Sequence, residues 1–248
     1  MNKLTRRDFL LASASMAGAT LPGVGWAAEP CPPPQVSISG GTSVTTNCTI
    51  TTGRTYSTDF NLVENPISEG GAWSHLAPAW KNIRTTGGRA HAVAYTDAYD
   101  DAYAILSGFP PNVQAEATIY KNGPGYETEL LLRMAHTANS VRGYECLFNV
   151  DGRGVAIVRW NGPRGDFTFL RGGVYNSPVA VTGDKIRARI VGPTIQLWHI
   201  PVKTGVPALI ADAVDGTFTD GQPGIAFYAH APVVLTDFGF SSYSVVSI

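Results

Sequence analysis

Short runs in which apolar and polar residues alternate follow one another through much of the chain. Between Lys185 and Val191, isoleucine and alanine occupy the even positions, and lysine and arginine occupy the first three odd positions. Because successive side chains of a strand point to opposite faces, this pattern predicts a strand with one buried and one wet face. Alternation and β-branched or aromatic content together predict strands at residues 114–120, 127–136, 143–150, 155–161, 167–171, 185–191, 194–200, 208–213, 224–230 and 235–246.

Turn-forming residues separate many of these runs. Asn122-Gly123 and Asp151-Gly152 are typical of tight hairpin turns, and Gly192-Pro193 is a further signal for chain reversal. The sequence has no convincing internal repeat, which argues against a propeller or a solenoid. Many short strands at close spacing, without a long helical period, predict an all-β sandwich or barrel.

The first 28 residues differ in character from the rest of the chain. Arg6 and Arg7 precede a mildly apolar run that ends near Val24, and small residues follow up to Ala28. This order is similar to a twin-arginine signal peptide, whose paired arginines are read by a receptor. The run is shorter than the roughly 20 apolar residues of a membrane-spanning helix. We therefore predict an export signal over residues 1–28 and a periplasmic or secreted mature protein without a membrane span.

Composition narrows the classes of partner. Charged residues make up 15% of the chain and apolar residues 44%, which is typical of a folded globular protein rather than a disordered one. The net charge of -1 provides no clustered positive field that would attract nucleic acid or an anionic membrane. We therefore expect no nucleic-acid partner.

Residues 29–58 are rich in proline, serine and threonine and form a predicted N-terminal extension. This segment contains Cys31 and Cys48, whereas the third cysteine, Cys146, lies in an apolar strand. In an oxidising compartment we predict a disulfide between Cys31 and Cys48, with Cys146 left as a buried thiol. The cysteine spacing does not indicate a zinc site.

Several segments from residue 59 onward carry a family resemblance. They are Asp59-Phe60, Trp73, Gly183–Arg189, Gly192, Ile195–Trp198 and Phe218–Phe227. Together they are similar to the concanavalin A-like lectin/glucanase superfamily in its laminin-G-like form. The resemblance implies a jelly roll of two curved antiparallel sheets over residues 59–248, often with a ligand on the concave face. Because that superfamily includes lectins, carbohydrate-binding modules, glycoside hydrolases, polysaccharide lyases and adhesive domains, the activity stays open.

Polar side chains alternate with apolar ones on three of the predicted strands. These three strands are predicted to be neighbours that place Glu116, Glu129 and Glu145 on one polar face, and if that face is the concave one, they line a groove together with Arg133 and Asn149. Such a groove suits a hydroxyl-rich ligand, and Glu129 with Glu145 supplies the paired carboxylates of glycoside hydrolysis. The alternative is a solvated sheet exterior. The sequence lacks the closely spaced acidic strand motif of the superfamily's laminarinase-like hydrolases, which weakens the hydrolase hypothesis.

The turn at Asp151-Gly152 decides which residue joins this face. A two-residue hairpin makes opposed residue numbers sum to 303, so that Val158 lies opposite Glu145 and Trp160 lies on the same side. A loop of odd length brings Arg159 there instead, because a one-residue slip exchanges the two faces. With the two-residue hairpin, Trp160 is either a platform for a sugar ring or a core residue. With the odd loop, Arg159 is a candidate catalytic residue that binds a uronate carboxylate.

Two features suggest calcium. The acidic segment Asp97–Asp101 is either a hydrated loop or a calcium loop. Asp237, in the last predicted strand, resembles the acidic residue that holds a structural calcium in jelly-roll sugar-binding proteins, with Asp59 as a partner from the first strand. We therefore expect at most a structural calcium and no other cofactor.

Three functions fit an exported protein of this class. We expect binding of a polysaccharide or glycan without turnover. The first alternative is a polysaccharide hydrolase or lyase, which would use Glu129 and Glu145, or an arginine with a Tyr-His pair such as Tyr228 and His230. The second is an adhesive or structural envelope protein. Sequence motifs of serine hydrolases, nucleotide enzymes and zinc peptidases are not present.

Overall fold

Two antiparallel β-sheets form the protein, as its sequence predicts. The computed structural model describes residues 53–94, 101–121, 126–149, 154–171, 180–229 and 234–248. Among these residues the only helical element is a single 3-10 turn, Leu235–Asp237. No helix in this part of the chain is long and apolar enough to cross a membrane.

The described residues contain sixteen strands, several of which are very short. In chain order they are β1 (Thr55–Thr58), β2 (Val63–Glu64), β3 (Trp73–Ser74), β4 (Ile83–Thr86), β5 (Ala90–Ala92), β6 (Ala102–Leu106), β7 (Val113–Lys121), β8 (Tyr126–Thr137), β9 (Ser140–Asn149), β10 (Gly154–Gly162), β11 (Phe167–Arg171), β12 (Lys185–Val191), β13 (Thr194–Ile200), β14 (Ala208–Val214), β15 (Gln222–Ala229) and β16 (Gly239–Ser247).

The strands pair in two separate sheets. Sheet A has the order β14-β13-β12-β7-β16-β5-β4-β2, and β1 pairs with β16 beside this path. Sheet B has the order β11-β10-β9-β8-β15-β6-β3. Because β1 is hydrogen-bonded to the last strand, sheet A already begins within the segment predicted as an extension, ahead of Asp59.

The predicted strands agree well with the observed ones from residue 113 onward. The bounds of β11, β12 and β13 are those predicted, and the other strands differ by a few residues at their ends. The last predicted strand differs most, because residues 235–237 form the 3-10 turn and β16 begins at Gly239. Strands β1 to β6 were not predicted, since two to five residues are too short to show alternation.

The main core lies between the two sheets. From β12, Ile186, Ala188 and Ile190 point into it, and from β9 come Tyr144 and Cys146. A second apolar cluster covers the other face of sheet B and includes Trp80, Tyr103, Leu131, Leu147, Val158 and Trp160. Sheet B is therefore buried on both faces, whereas the outward side chains of β12 stay half-buried or exposed.

A β-bulge interrupts the alternation of β8 between Leu132 and Ala135. Arg133 has a positive φ of 49° there, and Met134 joins the cluster on the outer face of sheet B. The prediction that Arg133 shares the face of Glu129 is therefore wrong. The extra residue of a bulge shifts the alternation that follows it, and the sequence pattern does not show this.

Candidate functional site

A row of outward side chains crosses six strands of sheet A. Consecutive members are cross-strand partners in the order Leu209, Trp198, Arg187, Glu116, Ser244 and Ser57. All six are half-buried or exposed. With neighbouring strands about 4.8 Å apart, the row spans about 24 Å. It presents an indole, a guanidinium, a carboxylate and two hydroxyl groups in line.

A second row runs beside the first, and each of its members is two or three residues away from the first-row residue of the same strand. Its members are Asp212, Gln196, Arg189, Gln114, Val246 and Thr55. The two rows together make the outer face of sheet A a grid of mainly polar side chains. We call this grid the polar face.

Glu116 is the centre of an ion-pair group on the polar face. Lys185 donates from Nζ to Oε1 over 2.9 Å, and Arg187 donates to Oε2 from Nε over 3.0 Å and from a terminal nitrogen over 2.7 Å. Burial raises the pKa of Glu116, but the hydrogen bonds from the two cations outweigh it and hold this pKa below its ordinary value. The carboxylate therefore stays charged and fixes both cations on the surface.

A groove of about 580 Å³ opens on the polar face beside this group. Its lining includes Asp59, Glu116, Lys185, Ser242 and Ser244. A second depression of about 250 Å³ shares Ser57, Glu116 and Ser244 with it. Together they provide hydroxyl, carboxylate and ammonium groups along β1, β16 and β7.

Glu69 is fixed at the wall of the groove. Its carboxylate accepts hydrogen bonds from the Tyr56 hydroxyl, from Thr58 Oγ1 over 2.5 Å and from Trp73 Nε1 over 2.8 Å. Burial and the adjacent Glu69 carboxylate raise the pKa of Tyr56, so this hydroxyl stays protonated as a donor. One wall of the groove is therefore rigid.

The acidic pair predicted for catalysis lies on a different surface, the outer face of sheet B. Oxygen atoms of Asp101, Glu129 and Glu145 all lie within 4.8 Å of one another, and the three residues are buried. Trp160 donates its indole N–H to Glu145 Oε2 over 2.5 Å. This arrangement brings Glu129 and Glu145 together as predicted, with oxygen ligands of the kind that a hard cation takes.

The register between β9 and β10 is the one that the two-residue hairpin alternative predicts. Val158 lies opposite Glu145 and Trp160 opposite Gly143, so that the paired numbers sum to 303. Trp160 is only 5% exposed, and its indole packs in the second apolar cluster. It is therefore a core residue that supports Glu145 and offers no open platform for a sugar ring.

A tyrosine and a histidine that the sequence did not single out lie on the same face. The Tyr103 hydroxyl accepts a hydrogen bond from the Ala77 N–H over 3.2 Å and lies 3.0 Å from His136 Nδ1. The rings of His75 and Tyr103 stack with centroids 4.6 Å apart. Burial raises the pKa of Tyr103 and lowers that of His136, which favours the neutral forms of both.

Glu116 and Arg133 do not lie where the predicted shared groove requires them. Glu116 belongs to β7 of sheet A, whereas Glu129 and Glu145 belong to sheet B, so these three carboxylates do not share a face. Arg133 is 3% exposed and donates to the carbonyl oxygens of Pro111 and Phe218 and to Asn112 Oδ1. Its guanidinium holds loops together and does not face a groove.

Arg159 points away from Glu145. It donates to Asp215 Oδ2 over 2.6 Å, to Thr217 Oγ1 over 2.7 Å and to Asn161 Oδ1 over 2.9 Å. Because Val158 and Trp160 occupy the Glu145 face, alternation places Arg159 on the other one. The arginine therefore already has an acidic partner and is not a catalytic neighbour of Glu129 or Glu145.

Other predicted residues fall partly or wholly outside the described part. Asp59 is exposed at the edge of the groove. Asn149 ends β9 and Asp237 ends the 3-10 turn, but the structure does not describe their side chains. Cys31 and Cys48 lie outside the described residues. The structural calcium and the disulfide remain predictions. Cys146 is a free, buried thiol, as predicted.

Trp198 and Arg189 also lie on the polar face, although neither is among the predicted site residues. The sequence carries a signal for Trp198, because Ile195 and Leu197 alternate with Gln196 and Trp198 in β13. This alternation places the half-buried indole on the outward face of the strand.

Comparisons with known proteins support the fold. No family model matches the chain, and no curated protein matches it. Carbohydrate-binding module CBM66 from Bacillus subtilis superposes with a TM-score of 0.50 at 16% identity, covering 73% of this chain and 95% of the module. The CBM2 module of the evolved Dit of Lactobacillus casei BL23 phage J-1 gives 0.51 at 9% identity, covering 79% and 97%.

An enzyme also contains this sandwich. Xylan β-1,4-xylosidase from Bacillus halodurans C-125 gives a TM-score of 0.51 at 12% identity over 76% of this chain, which spans 38% of that enzyme. At these identities the likeness concerns the fold alone, a sandwich of two antiparallel sheets. The predicted jelly-roll architecture is thereby confirmed.

Proposed function

We propose that this protein binds a polysaccharide or glycan on the polar face of sheet A. The observation that carries the proposal is the row from Trp198 to Ser57, which places hydrogen-bonding groups beside an open groove. A sugar chain offers hydroxyl groups to such side chains and an apolar ring face to an indole. A row of about 24 Å accommodates an extended chain better than a single small molecule.

Two further points support the proposal. This chain covers nearly the whole length of two structures whose names describe carbohydrate-binding modules. The N-terminal sequence resembles a twin-arginine export signal, which would bring the mature protein to the periplasm or the medium, where polysaccharides are found.

Retention of the mature protein, residues 29–248, on a panel of neutral and acidic polysaccharides tests the proposal. We expect retention on at least one of them, and we expect Trp198→Ala to weaken it by about twofold to tenfold, because an aromatic contact contributes about 0.5–1.5 kcal/mol beyond the area that it buries. Leu76→Ala is the matched control, since Leu76 is 57% exposed and lies outside the polar face. Absence of retention on every polysaccharide would contradict the proposal and favour an adhesive envelope role.

Calcium is tested in the same assay. A structural calcium, if one is bound, would make the thermal midpoint and the retention fall when a chelator is added. An unchanged midpoint would contradict the calcium prediction.

The alternative function, a polysaccharide hydrolase or lyase, would use the buried carboxylates of sheet B. Oxygen atoms of Glu129 and Glu145 lie within 4.8 Å of each other, and Tyr103 and His136 form a hydrogen-bonded pair on the same face. Glycoside hydrolysis uses such a pair of carboxyl groups. A hydrolase would release new reducing ends, and a lyase would release products that absorb in the ultraviolet. We expect Glu129→Gln to abolish such products if they form, and their absence with all polysaccharides would exclude this function.

A further inference from the structure

The outward positions of β12 carry three cations in succession, Lys185, Arg187 and Arg189. Only Glu116 lies among them, and it binds Lys185 and Arg187. Three positive charges and one negative charge leave two positive charges uncompensated along this strand. The next carboxylate in the row of Arg189 is Asp212, two strands or about 10 Å away.

Arg189 differs from its two neighbours because it has no acidic partner among the described residues. Its cross-strand partners are Gln114 on β7 and Gln196 on β13, both neutral amides. Its Nε is buried and has no hydrogen-bond acceptor in the described part of the chain. Because Nε is closed to solvent, an anion would bind the terminal N–H groups of this half-buried side chain, which no acidic side chain among the described residues occupies.

The side chains of Arg189, Gln114 and Gln196 together offer the hydrogen-bond donors that an anion requires. A guanidinium presents parallel N–H groups that match the two oxygens of a carboxylate or a sulfate. The amides of Gln114 and Gln196 flank it on both sides and supply further N–H donors. Arg187 does not compete for the anion, since Glu116 already occupies it.

We propose that the polar face is selective for acidic glycans, and that Arg189, flanked by Gln114 and Gln196, binds a carboxylate or sulfate group of the sugar chain. This inference rests on the proposed function, since it names the class of glycan that the same face takes. It moves the carboxylate-binding role predicted for Arg159 to an arginine without an acidic partner of its own.

The test compares affinities for polygalacturonate and chondroitin sulfate with those for the neutral polymers cellulose and mannan. We expect the protein to prefer the acidic polymers, and we expect added salt to reduce this preference. In Arg189→Gln the ratio of acidic to neutral affinity should fall about tenfold, because a charge-assisted bidentate pair is lost. Arg171→Gln is the matched control, since Arg171 is an exposed arginine at the edge of sheet B.

Two further measurements keep the result interpretable. Arg189→Lys retains the positive charge but lacks the two parallel N–H groups of a guanidinium. Its ratio of acidic to neutral affinity should therefore lie between those of the wild type and Arg189→Gln. Free galacturonic acid should displace the wild type from an acidic polymer at lower concentration than galactose does. The second measurement needs no variant and is independent of any effect on folding.

The outcomes separate the two proposals. If the wild type bound acidic and neutral polymers with equal affinity, and Trp198→Ala abolished this binding, the acidic selectivity would be overturned. Carbohydrate binding on the polar face would then remain supported. If both Arg189→Gln and Arg171→Gln kept the wild-type preference for acidic polymers, the proposed role of Arg189 would also be overturned. Retention on no polymer would overturn both proposals.

Discussion

Trp160 on β10 donates its indole N–H to Glu145 Oε2 on the neighbouring strand β9, over 2.5 Å. The two residues are diagonal partners, because Trp160 lies opposite Gly143, two residues before Glu145. The indole is 5% exposed and the carboxylate residue 0%. One hydrogen bond therefore connects the apolar cluster of sheet B to the acidic group formed with Asp101 and Glu129.

Replacing Trp160 by phenylalanine should destabilise the protein. The substitution keeps a ring in the cluster but removes one donor to a buried carboxylate, which costs about 1–3 kcal/mol of unfolding free energy. Urea denaturation followed by circular dichroism measures this change. Trp198→Phe on the half-exposed polar face is the control and should change stability by less than about 0.5 kcal/mol. Equal effects of the two substitutions would contradict a structural role for the Trp160–Glu145 hydrogen bond.

Gly143 allows β9 to pass the bulge of β8 at close range. Its φ is 144°, and a Cβ there would lie 2.3 Å from the Met134 sulfur and 2.8 Å from the Arg133 carbonyl oxygen. We expect Gly143→Ala to lower the unfolding free energy by about 2–6 kcal/mol, through backbone strain and overpacking combined. Thermal and urea unfolding both measure this.

Gly192→Ala is the control for this prediction. Gly192 also has a positive φ, 53°, but a Cβ there would meet no atom within 4 Å. Backbone strain alone should cost about 1–2 kcal/mol at that position. If the two alanine variants were equally stable, the close contact at the bulge would not matter.

Local patterns in the sequence were enough to predict the strands and one register. The alternation of β12 gave its bounds and its wet face, and the turn at Asp151-Gly152 gave the pairing of Val158 with Glu145. Both features depend on residues that are close in sequence. The closeness of Glu129 to Glu145 could be predicted for the same reason, since β8 and β9 are consecutive and neighbouring strands.

Features that depend on distant residues could not be predicted. Glu116 contacts Arg187 from 71 residues away, and nothing near β7 indicates that it belongs to the other sheet. The acidic partner of Arg159, Asp215, is 56 residues away, so the pairing that occupies this arginine was not visible. The bulge at Arg133 is set by glycines on two neighbouring segments, Gly143 and Gly221.

Acid should destabilise the protein through Asp184. Its carboxylate accepts hydrogen bonds from the Val181 N–H over 3.0 Å, the Val202 N–H over 2.8 Å and His199 Nε2 over 2.8 Å. Burial raises the pKa of Asp184, but these hydrogen bonds outweigh it and hold the pKa below its ordinary value. The stabilisation is therefore present above the unfolded-state pKa of about 3.9 and is lost as the pH falls through the lower, folded-state pKa.

Unfolding free energies measured from about pH 6 to about pH 2 test this prediction. Asp184→Asn should lower stability at neutral pH by about 3 kcal/mol, since a partner of a buried pair is removed, and should flatten the decline in acid. Asp220→Asn removes a carboxylate that is 76% exposed and should leave the decline as in the wild type. If the unfolding free energy of Asp184→Asn fell in acid as steeply as that of the wild type, carboxyl groups other than Asp184 would be responsible for the decline.

Thiol counting distinguishes the buried cysteine from the predicted disulfide. Cys146 is fully buried, and burial together with the neighbouring Glu145 carboxylate raises its pKa, so its thiolate is scarce and shielded. If Cys31 and Cys48 are bridged, the folded mature protein should therefore react with no thiol reagent. In denaturant without reductant, one of the three cysteines should react if Cys31 and Cys48 are bridged, and all three if they are not.

Cys31→Ser provides the matched control for the count. It leaves Cys48 without its predicted partner, so that two thiols should react in denaturant, and Cys48 should react in the folded protein only if its segment is accessible. Adding reductant to the wild type should raise the count in denaturant from one to three. A count of three before reduction would show that the disulfide does not form, whereas a thiol that reacts in folded Cys31→Ser but not in folded wild type would locate the bridge at Cys48.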